Sequence, residues 1–289
     1  MKVVVNKTEK LVSIGMPIRN GASTLRFALD SIINQTHKNL EIIISDNCSC
    51  DETSKIVFEY KTLDSRIKYY RQNNFLSVVE NFRFVLDKSV GDFFMWAAHD
   101  DRRNDQYISQ LLRGFTNDFK TILVFGDSYS TPSIEDDGVI TKYNFDNKDM
   151  PRLQRLKKAV DPNCMHLYGL WKSEVLKKIK FYPCVWAWDQ PVLPAAAFIG
   201  DFKYVAGPKF IYLTIIKSHE QRAAYQDGKV IFNKYISLAE LLLAMFKTCT
   251  HVGGPIVGLY GVYIMFLQHA KNLPKFIKRK LQKNNLSNK

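Results

Sequence analysis

The stretch Leu11–Val57, LVSIGMPIRNGASTLRFALDSIINQTHKNLEIIISDNCSCDETSKIV, carries an apolar rhythm that decides the fold class. Leu11–Met16 is a short apolar run halted by Pro17, which predicts a buried strand ending there. Ser23 or Thr24 stands where a helix cap belongs, and Leu25, Ala28, Leu29, Ile32 and Ile33 follow at helical spacing. Leu40–Ser45 is a second buried strand with β-branched residues in succession. Asp46-Asn47-Cys48-Ser49 breaks it, and Asp51 or Thr53 begins a helix reaching roughly to Tyr60.

The same alternation continues outward. Ile67–Tyr70 reads as a third strand, and Val79, Phe82, Val85 and Leu86 mark an amphipathic helix. Phe93–Ala98 (FFMWAA) reads as a fourth strand. Strands alternating with helices predict an α/β fold with a mostly parallel central sheet between helices. Ligands of such sheets collect beyond the carboxyl ends of the strands. Pro17, Arg19 and Asn20 stand there after the first strand, and Asp46 and Asn47 after the second. Asn73 and Asn74 follow the third, and His99, Asp100 and Asp101 the fourth. Any one of these residues is an ordinary turn former or cap. Four such sets at successive strand ends point to a site.

Composition narrows the function. The 289 residues are 46% hydrophobic and 24% charged, enough apolar surface for a sizeable core, which excludes disorder as the main state. The 14 Gly and 10 Pro show no period, so collagen and repeat architectures are excluded. The five cysteines form no C-x-x-C pair and no zinc-site spacing, so they read as free thiols of a reducing compartment. The apolar run near Met1 is too short for a secretory signal. There is no G-x-x-x-x-G-K-[ST], no G-x-G-x-x-G after the first strand and no G-x-S-x-G. Those absences argue against a P-loop ATPase, a dinucleotide enzyme and a serine hydrolase.

Asp100 and Asp101 follow an apolar strand as adjacent carboxylates. They would repel one another unless solvated or neutralised by a cation, which suits Mg²⁺ or Mn²⁺. The competing reading is a strand-end turn, with Asp101 or Asp105 capping the helix that carries Tyr107, Ile108, Leu111 and Leu112.

Taken in order, these elements resemble the opening of family-2 glycosyltransferases with the GT-A fold. The shared features are the strand ending in Pro17, then Asn20, the helix ending Ile33-Asn34-Gln35-Thr36, and LEIIISDN followed by Asp51. MWAAHDD resembles the family's D-x-D-type metal and nucleotide-diphosphate site, with His99 in place of the first carboxylate. The resemblance implies a nucleotide-sugar donor, with a UDP-sugar favoured, and Mn²⁺ or Mg²⁺ as cofactor. It implies that Pro17, Arg19 and Asn20 border the nucleotide and that Asp46 accepts hydrogen bonds from base or ribose, with Asn47 and Asn74 nearby. Asp100 and Asp101 would face the ribose and the metal-bound diphosphate, Asp101 as the direct ligand. His219, in IIKSHEQRA, resembles the late histidine that closes over the donor and ligates the metal.

Inverting transfer also needs a carboxylate to take the acceptor's proton. Asp189, in WAWDQP, resembles that base, although Trp188 precedes it where the family usually has an acid. Trp186 and Trp188 could stack on sugar faces. The competing reading makes Asp189 a cap for a helix running from Pro191. The expected organisation is a GT-A domain over 8–228, with its donor half about 8–125 and its acceptor half about 126–228. A helical extension with a basic tail would occupy 229–289.

Charge supports that division. The chain carries 41 Lys and Arg against 28 Asp and Glu, a formal +13. Seven of those basic residues, and no acid, lie in Lys271–Lys289, leaving +6 for the rest. Nucleic acid is therefore not the expected partner. Val252–Gln268 contains no charge, at the lower edge of a membrane span and interrupted by Gly and Pro. The alternatives are a helix lying in the membrane interface and a packed helical hairpin. The expected protein is a peripheral or C-terminally anchored enzyme at the cytoplasmic membrane face. It would transfer sugar to a glycan acceptor, plausibly lipid-linked, in polysaccharide assembly. A sugar-1-phosphate nucleotidyltransferase or a non-catalytic membrane-associated binding protein is the alternative.

Overall fold

The computed structural model describes residues 9–115, 119–133, 135–141, 146–160, 164–182, 189–214 and 234–269. The first half alternates as expected: β1 (Val12–Ile18), α1 (Leu25–Ile33), β2 (Leu40–Asp46), α2 (Thr53–Leu63), β3 (Ile67–Arg71), α3 (Val78–Lys88) and β4 (Phe93–Trp96). Next come β5 (Arg102–Arg103), α4 (Tyr107–Gly114), the long β6 (Thr121–Thr131), β7 (Val139–Thr141) and α5 (Arg152–Ala159). After these lie β8 (Leu170–Lys172), α6 (Ser173–Leu176), α7 (Val192–Ile199) and β9 (Asp201–Leu213).

The strands form one sheet in the order β3-β2-β1-β4-β8-β6-β9-β5, with β7 paired to β6. β1 lies between β2 and β4 and is parallel to both, and β2 is parallel to β3. The longer pairings are parallel, as expected, and the sheet becomes mixed beyond β4. β8 runs antiparallel to β4 and to β6, β5 is antiparallel to β9, and only β6 and β9 pair in parallel. In this second half only the β6–β7 pair is a short antiparallel return; α5 lies between β7 and β8, and α6 and α7 lie between β8 and β9.

Side-chain alternation explains the burial of both sheet faces. Val12, Ile14, Met16 and Ile18 of β1 share one core with Ile42 and Ile44 of β2 and with Leu25, Leu29 and Ile32 of α1. The intervening Ile43, with Phe94 and Trp96 of β4, faces the opposite core beside Val85 and Leu86 of α3. Successive strand residues point to opposite faces, so a sheet covered on both sides reads as an unbroken apolar run. Burying each such aliphatic side chain contributes about 1.5–3 kcal/mol.

One boundary differs from expectation. Pro17 does not end β1; it lies inside the strand opposite Ser45, and β1 runs on to Ile18.

At the carboxyl end of the described chain, a helix over Lys234–Gly253 is followed by a second over 255–269. Gly254 turns the chain between them at φ 82°. Leu241, Ala244, Met245 and Cys249 of the first helix join the core that contains Ala195 and Ala196 of α7, as do Val257, Ile264 and Met265 of the second. A Cβ on Gly258 would lie 2.0 Å from Thr250 Oγ1, so glycine there lets the two helices approach closely. Among the described residues, no helix is long and apolar enough to cross a membrane. The segment 252–268 belongs to a packed helical hairpin. The basic segment 271–289 lies outside the described residues.

Candidate active site

The sheet order reverses between β1, which leads to β2 on one side, and β4, which lies on the other. The crevice at such a switch point is where open α/β sheets bind ligands. Loops after β1, β2 and β4 meet there, and the chain's own polar groups stitch them together.

After β1 the backbone turns at Asn20, φ 51°. Three successive amides of this loop donate to residues after β2: Asn20 N–H to Ser49 Oγ at 2.9 Å, Gly21 N–H to Thr53 Oγ1 at 2.9 Å and Ala22 N–H to Asp51 Oδ2 at 3.0 Å. Cys50 N–H returns a bond to Asn20 Oδ1 at 2.9 Å. Arg19 places its guanidinium 4.3 Å from the centre of the Phe75 ring. Gly21 passes directly over His99, where a Cβ would lie 2.9 Å from the imidazole. His99 Nδ1 is 3.0 Å from Thr24 Oγ1, and Thr24, the N-cap residue of α1, makes no capping bond with its side chain. The expected cap is thus diverted to hold His99, which is buried beneath the loop.

Asp46 is fully buried at the end of β2. Its Oδ1 accepts from Ser49 N–H at 2.9 Å and its Oδ2 from Tyr69 O–H at 2.7 Å, with Arg71 Nη1 at 4.0 Å. Burial, and then the Asp46 carboxylate, raise the Tyr69 phenol well above its ordinary pKa. Asn47 uses both ends of its amide on Leu76, donating to its carbonyl and accepting from its N–H, each at 2.8 Å. Both residues therefore shape the site floor. Pro17 is buried in β1, whereas Asn20 and Asn74 are exposed at the rim.

Asp100 is half-buried and Asp101 buried immediately after β4. The capping alternative for α4 does not hold: its N-cap residue is Gln106, which makes no side-chain cap bond. Nor does Asp189 occupy the cap of α7, which belongs to Pro191. Asp189 sits two residues earlier, its carbonyl accepting from Val192 N–H at 3.1 Å.

The charges of these three carboxylates reach one phenol. The Tyr168 phenol is held well above its ordinary pKa, first by burial and then by the charges of Asp101, Asp189 and Asp100, against the opposing effect of Arg103. One phenol thus feels carboxylates 88 residues apart in sequence. Tyr168 stacks on Phe210 of β9, with centroids 5.4 Å apart. Arg103 is buried, and burial lowers its pKa. It donates through Nη2 to the Trp96 carbonyl at 2.9 Å and lies 4.9 Å from the centre of the Phe210 ring. The sequence reading missed both Tyr168 and Arg103. Only the proximity of Arg103 to Asp101 in sequence hinted at a role; nothing in spacing marks Tyr168.

His219, Trp186 and Trp188 lie outside the described residues. Among the described residues, no three His, Cys, Asp or Glu side chains cluster as a metal cage. The donors present are two adjacent carboxylates. That set suits Mg²⁺ or Mn²⁺, hard ions that commonly take one or two carboxylates and complete their shell with water and substrate phosphates. Cys48, Cys50 and Cys249 are free thiols, as expected.

Known proteins give the same fold. Staphylococcus aureus TarS in complex with UDP-GlcNAc superposes with a TM-score of 0.67 at 13% identity, covering 90% of this chain and 72% of that one. The mannosyltransferase PcManGT of Pyrobaculum calidifontis, in complex with GDP-Man and Mn²⁺, superposes with a TM-score of 0.58 at 14% identity, over 92% and 76% of the two chains. The architecture is therefore that of the GT-A glycosyltransferases. By sequence, an uncharacterized glycosyltransferase of Rickettsia typhi is 36% identical over 96 residues, 33% of this chain and 29% of its own. A GalNAc(5)-diNAcBac-PP-undecaprenol β-1,3-glucosyltransferase of Campylobacter jejuni is 31% identical over 144 residues, 46% of this chain and 47% of its own. The chain thus spans less than half the length of these curated relatives. The model of glycosyl transferase family 2 matches residues 13–179, more than half of the chain. With the fold, the strand-end loops and this match in agreement, the chain belongs to glycosyl transferase family 2.

Proposed function

We propose that the chain is an inverting glycosyltransferase that moves one sugar from a nucleotide-diphosphate donor to a hydroxyl of a glycan acceptor. The observation that carries this reading is the pair Asp100 and Asp101 after β4, beside the switch point of the sheet, with the charges of both and of Asp189 reaching the Tyr168 phenol. Donor binding falls to the half spanning about 8–125, and the acceptor side to 126–228. The loop Pro17–Asn20 borders the nucleotide, Asn74 closes the rim, and Asp46 and Asn47 fix the loops that shape the pocket. A UDP-sugar is the favoured donor, in keeping with the UDP-GlcNAc that TarS holds; PcManGT holds GDP-Man instead.

Asp101, with Asp100 beside it, would hold Mn²⁺ or Mg²⁺, and we place His219 in the same shell. Such an ion would supply positive charge to offset that developing on the leaving diphosphate. Asp189 takes the proton from the acceptor hydroxyl as its oxygen attacks the anomeric carbon. The bond to the diphosphate breaks, and its electrons leave with the phosphate. General-base assistance of this kind is worth about two to four orders of magnitude in rate. The acceptor is a lipid-linked glycan, by analogy with the polyprenol-linked substrate in the name of the Campylobacter relative, and the enzyme works at the cytoplasmic face of the membrane.

Two variants separate the roles. Asp101→Ala abolishes Mn²⁺-dependent nucleotide binding, whereas Asp189→Asn keeps binding and loses transfer by at least a hundredfold. Full transfer by both variants across a panel of nucleotide sugars would overturn the assignment. Nucleotide binding that ignores Mn²⁺ would favour a non-catalytic binding protein.

A further inference from the structure

We propose that the outward face of the second hairpin helix docks on the surface of an anionic lipid bilayer. The contact uses Ile256, Leu259, Tyr263 and Phe266, and the basic segment that follows supplies its electrostatic half. These four side chains are 81%, 63%, 57% and 53% exposed. Their spacing of three, four and three residues puts them on one face of a helix. The opposite face, Val257, Ile264 and Met265, is buried in the protein core. A surface helix ordinarily turns a polar face to water. Here both faces are apolar, no residue between Val252 and Gln268 is charged, and no described residue covers the outer one.

Length and charge together choose the occupant. The fifteen residues 255–269 rise about 22 Å, short of the roughly 30 Å hydrocarbon thickness of a bilayer. The inner face is already committed to the core, so the helix lies along the membrane surface instead of crossing it. The chain then continues into Lys271–Lys289, seven basic residues without an acid, which matches an anionic leaflet. A second copy of the chain is the poorer occupant, because each copy carries a formal +13 with more than half of it in the sequence that follows this helix. Tyr263 suits the headgroup level, where amphipathic rings concentrate.

The test is co-sedimentation of the full chain with vesicles of phosphatidylglycerol and phosphatidylcholine, against phosphatidylcholine alone. The unsubstituted protein is expected to partition onto the anionic vesicles at least tenfold better. The triple variant Ile256→Ser, Leu259→Ser, Phe266→Ser is expected to lose at least tenfold of that partitioning. So is the variant Lys275→Gln, Lys278→Gln, Arg279→Gln, Lys280→Gln. Unchanged nucleotide binding shows that each variant is folded. As a second measurement, Tyr263→Trp is expected to add fluorescence quenched by brominated anionic lipid, relative to the unsubstituted protein. Equal partitioning onto neutral vesicles, no loss in the triple variant, or a dimer that the triple variant dissociates would each overturn the proposal. Binding alone is read, so a failure here leaves the sugar-transfer reading standing.

Discussion

Gln35 offers the sharpest test of how the site is held. It is fully buried at the end of α1, and its amide makes three bonds. Nε2 donates to the Ser31 carbonyl at 2.9 Å and to the Asn104 carbonyl at 2.8 Å, while Oε1 accepts from Ile108 N–H at 3.0 Å. Ile108 is the second residue of α4, whose own cap residue Gln106 makes no side-chain bond. Gln35 therefore caps α4 from another helix, and the segment it pins begins one residue after Arg103. Gln35→Met keeps the volume and removes the bonds. The Asn104 carbonyl retains Tyr107 N–H as a partner at 2.9 Å, so it loses only the second of two bonds. The Ile108 amide is left without its acceptor, which costs about 1–3 kcal/mol, and each bond lost beyond that about 0.5–1.5 kcal/mol. The sum is roughly 2–6 kcal/mol. Urea unfolding followed by circular dichroism should show that loss, and Mn²⁺-dependent nucleotide binding should weaken because Asp101 lies three residues before the segment released. A loss below about 1 kcal/mol would refute the argument that α4 is capped in trans.

Three further outcomes follow from other contacts. Gly21→Ala forces a Cβ to 2.7 Å from Ile18 Cδ1 and 2.9 Å from the His99 ring, so it should cost about 1–3 kcal/mol in unfolding free energy and weaken donor binding; an unchanged urea midpoint would count against the packing seen there. Arg155 pairs with Asp201 at 2.8 Å, with side chains only 10% and 2% exposed. Arg155→Met removes the cationic partner of that buried carboxylate and should cost about 3–5 kcal/mol, part of it recovered by adding Asp201→Leu; a loss under about 1 kcal/mol would refute the pair's role. Burial pushes the Glu41 carboxyl upward, but bonds from Lys68, Ser13 and Val90 N–H outweigh it and leave the pKa lowered. A lowered carboxylate contributes stability above its unfolded pKa and loses it as pH falls through the folded value. The urea midpoint should therefore drop more steeply below about pH 4.5 in the parent than in Glu41→Gln, and parallel profiles would exclude the contribution.

How much of this was legible in the sequence depends on which forces fix each element. β1, β2 and β4 are buried on both faces, so their apolar runs are unbroken and the strands stand out. The second half gives no such signal. β8 has three residues and β5 has two, and each exists because a neighbouring strand offers its edge. Pairing of that kind is decided by tertiary context, which no local pattern encodes. The mixed character of the sheet was invisible for the same reason.

The candidate site divides along the same line. Residues directly after a strand, such as Asp46 and Asp101, can be found because the strand points to them. Their work cannot. Asp46 and Asn47 read as ligand contacts in sequence, yet their carboxylate and amide groups are engaged by Ser49, Tyr69 and Leu76. Thr24 and Gln35 invert the problem. Each sits where a cap or a helix end is expected, and each sends its side chain across the fold, to His99 and to α4. Sequence position sets where a polar group begins, and three-dimensional competition for buried donors and acceptors sets where it ends. A buried N–H left without an acceptor costs more than a local cap gains, so the chain spends its local caps on distant needs. The loops that would grip a nucleotide are therefore fixed before any ligand arrives, by bonds that no motif records.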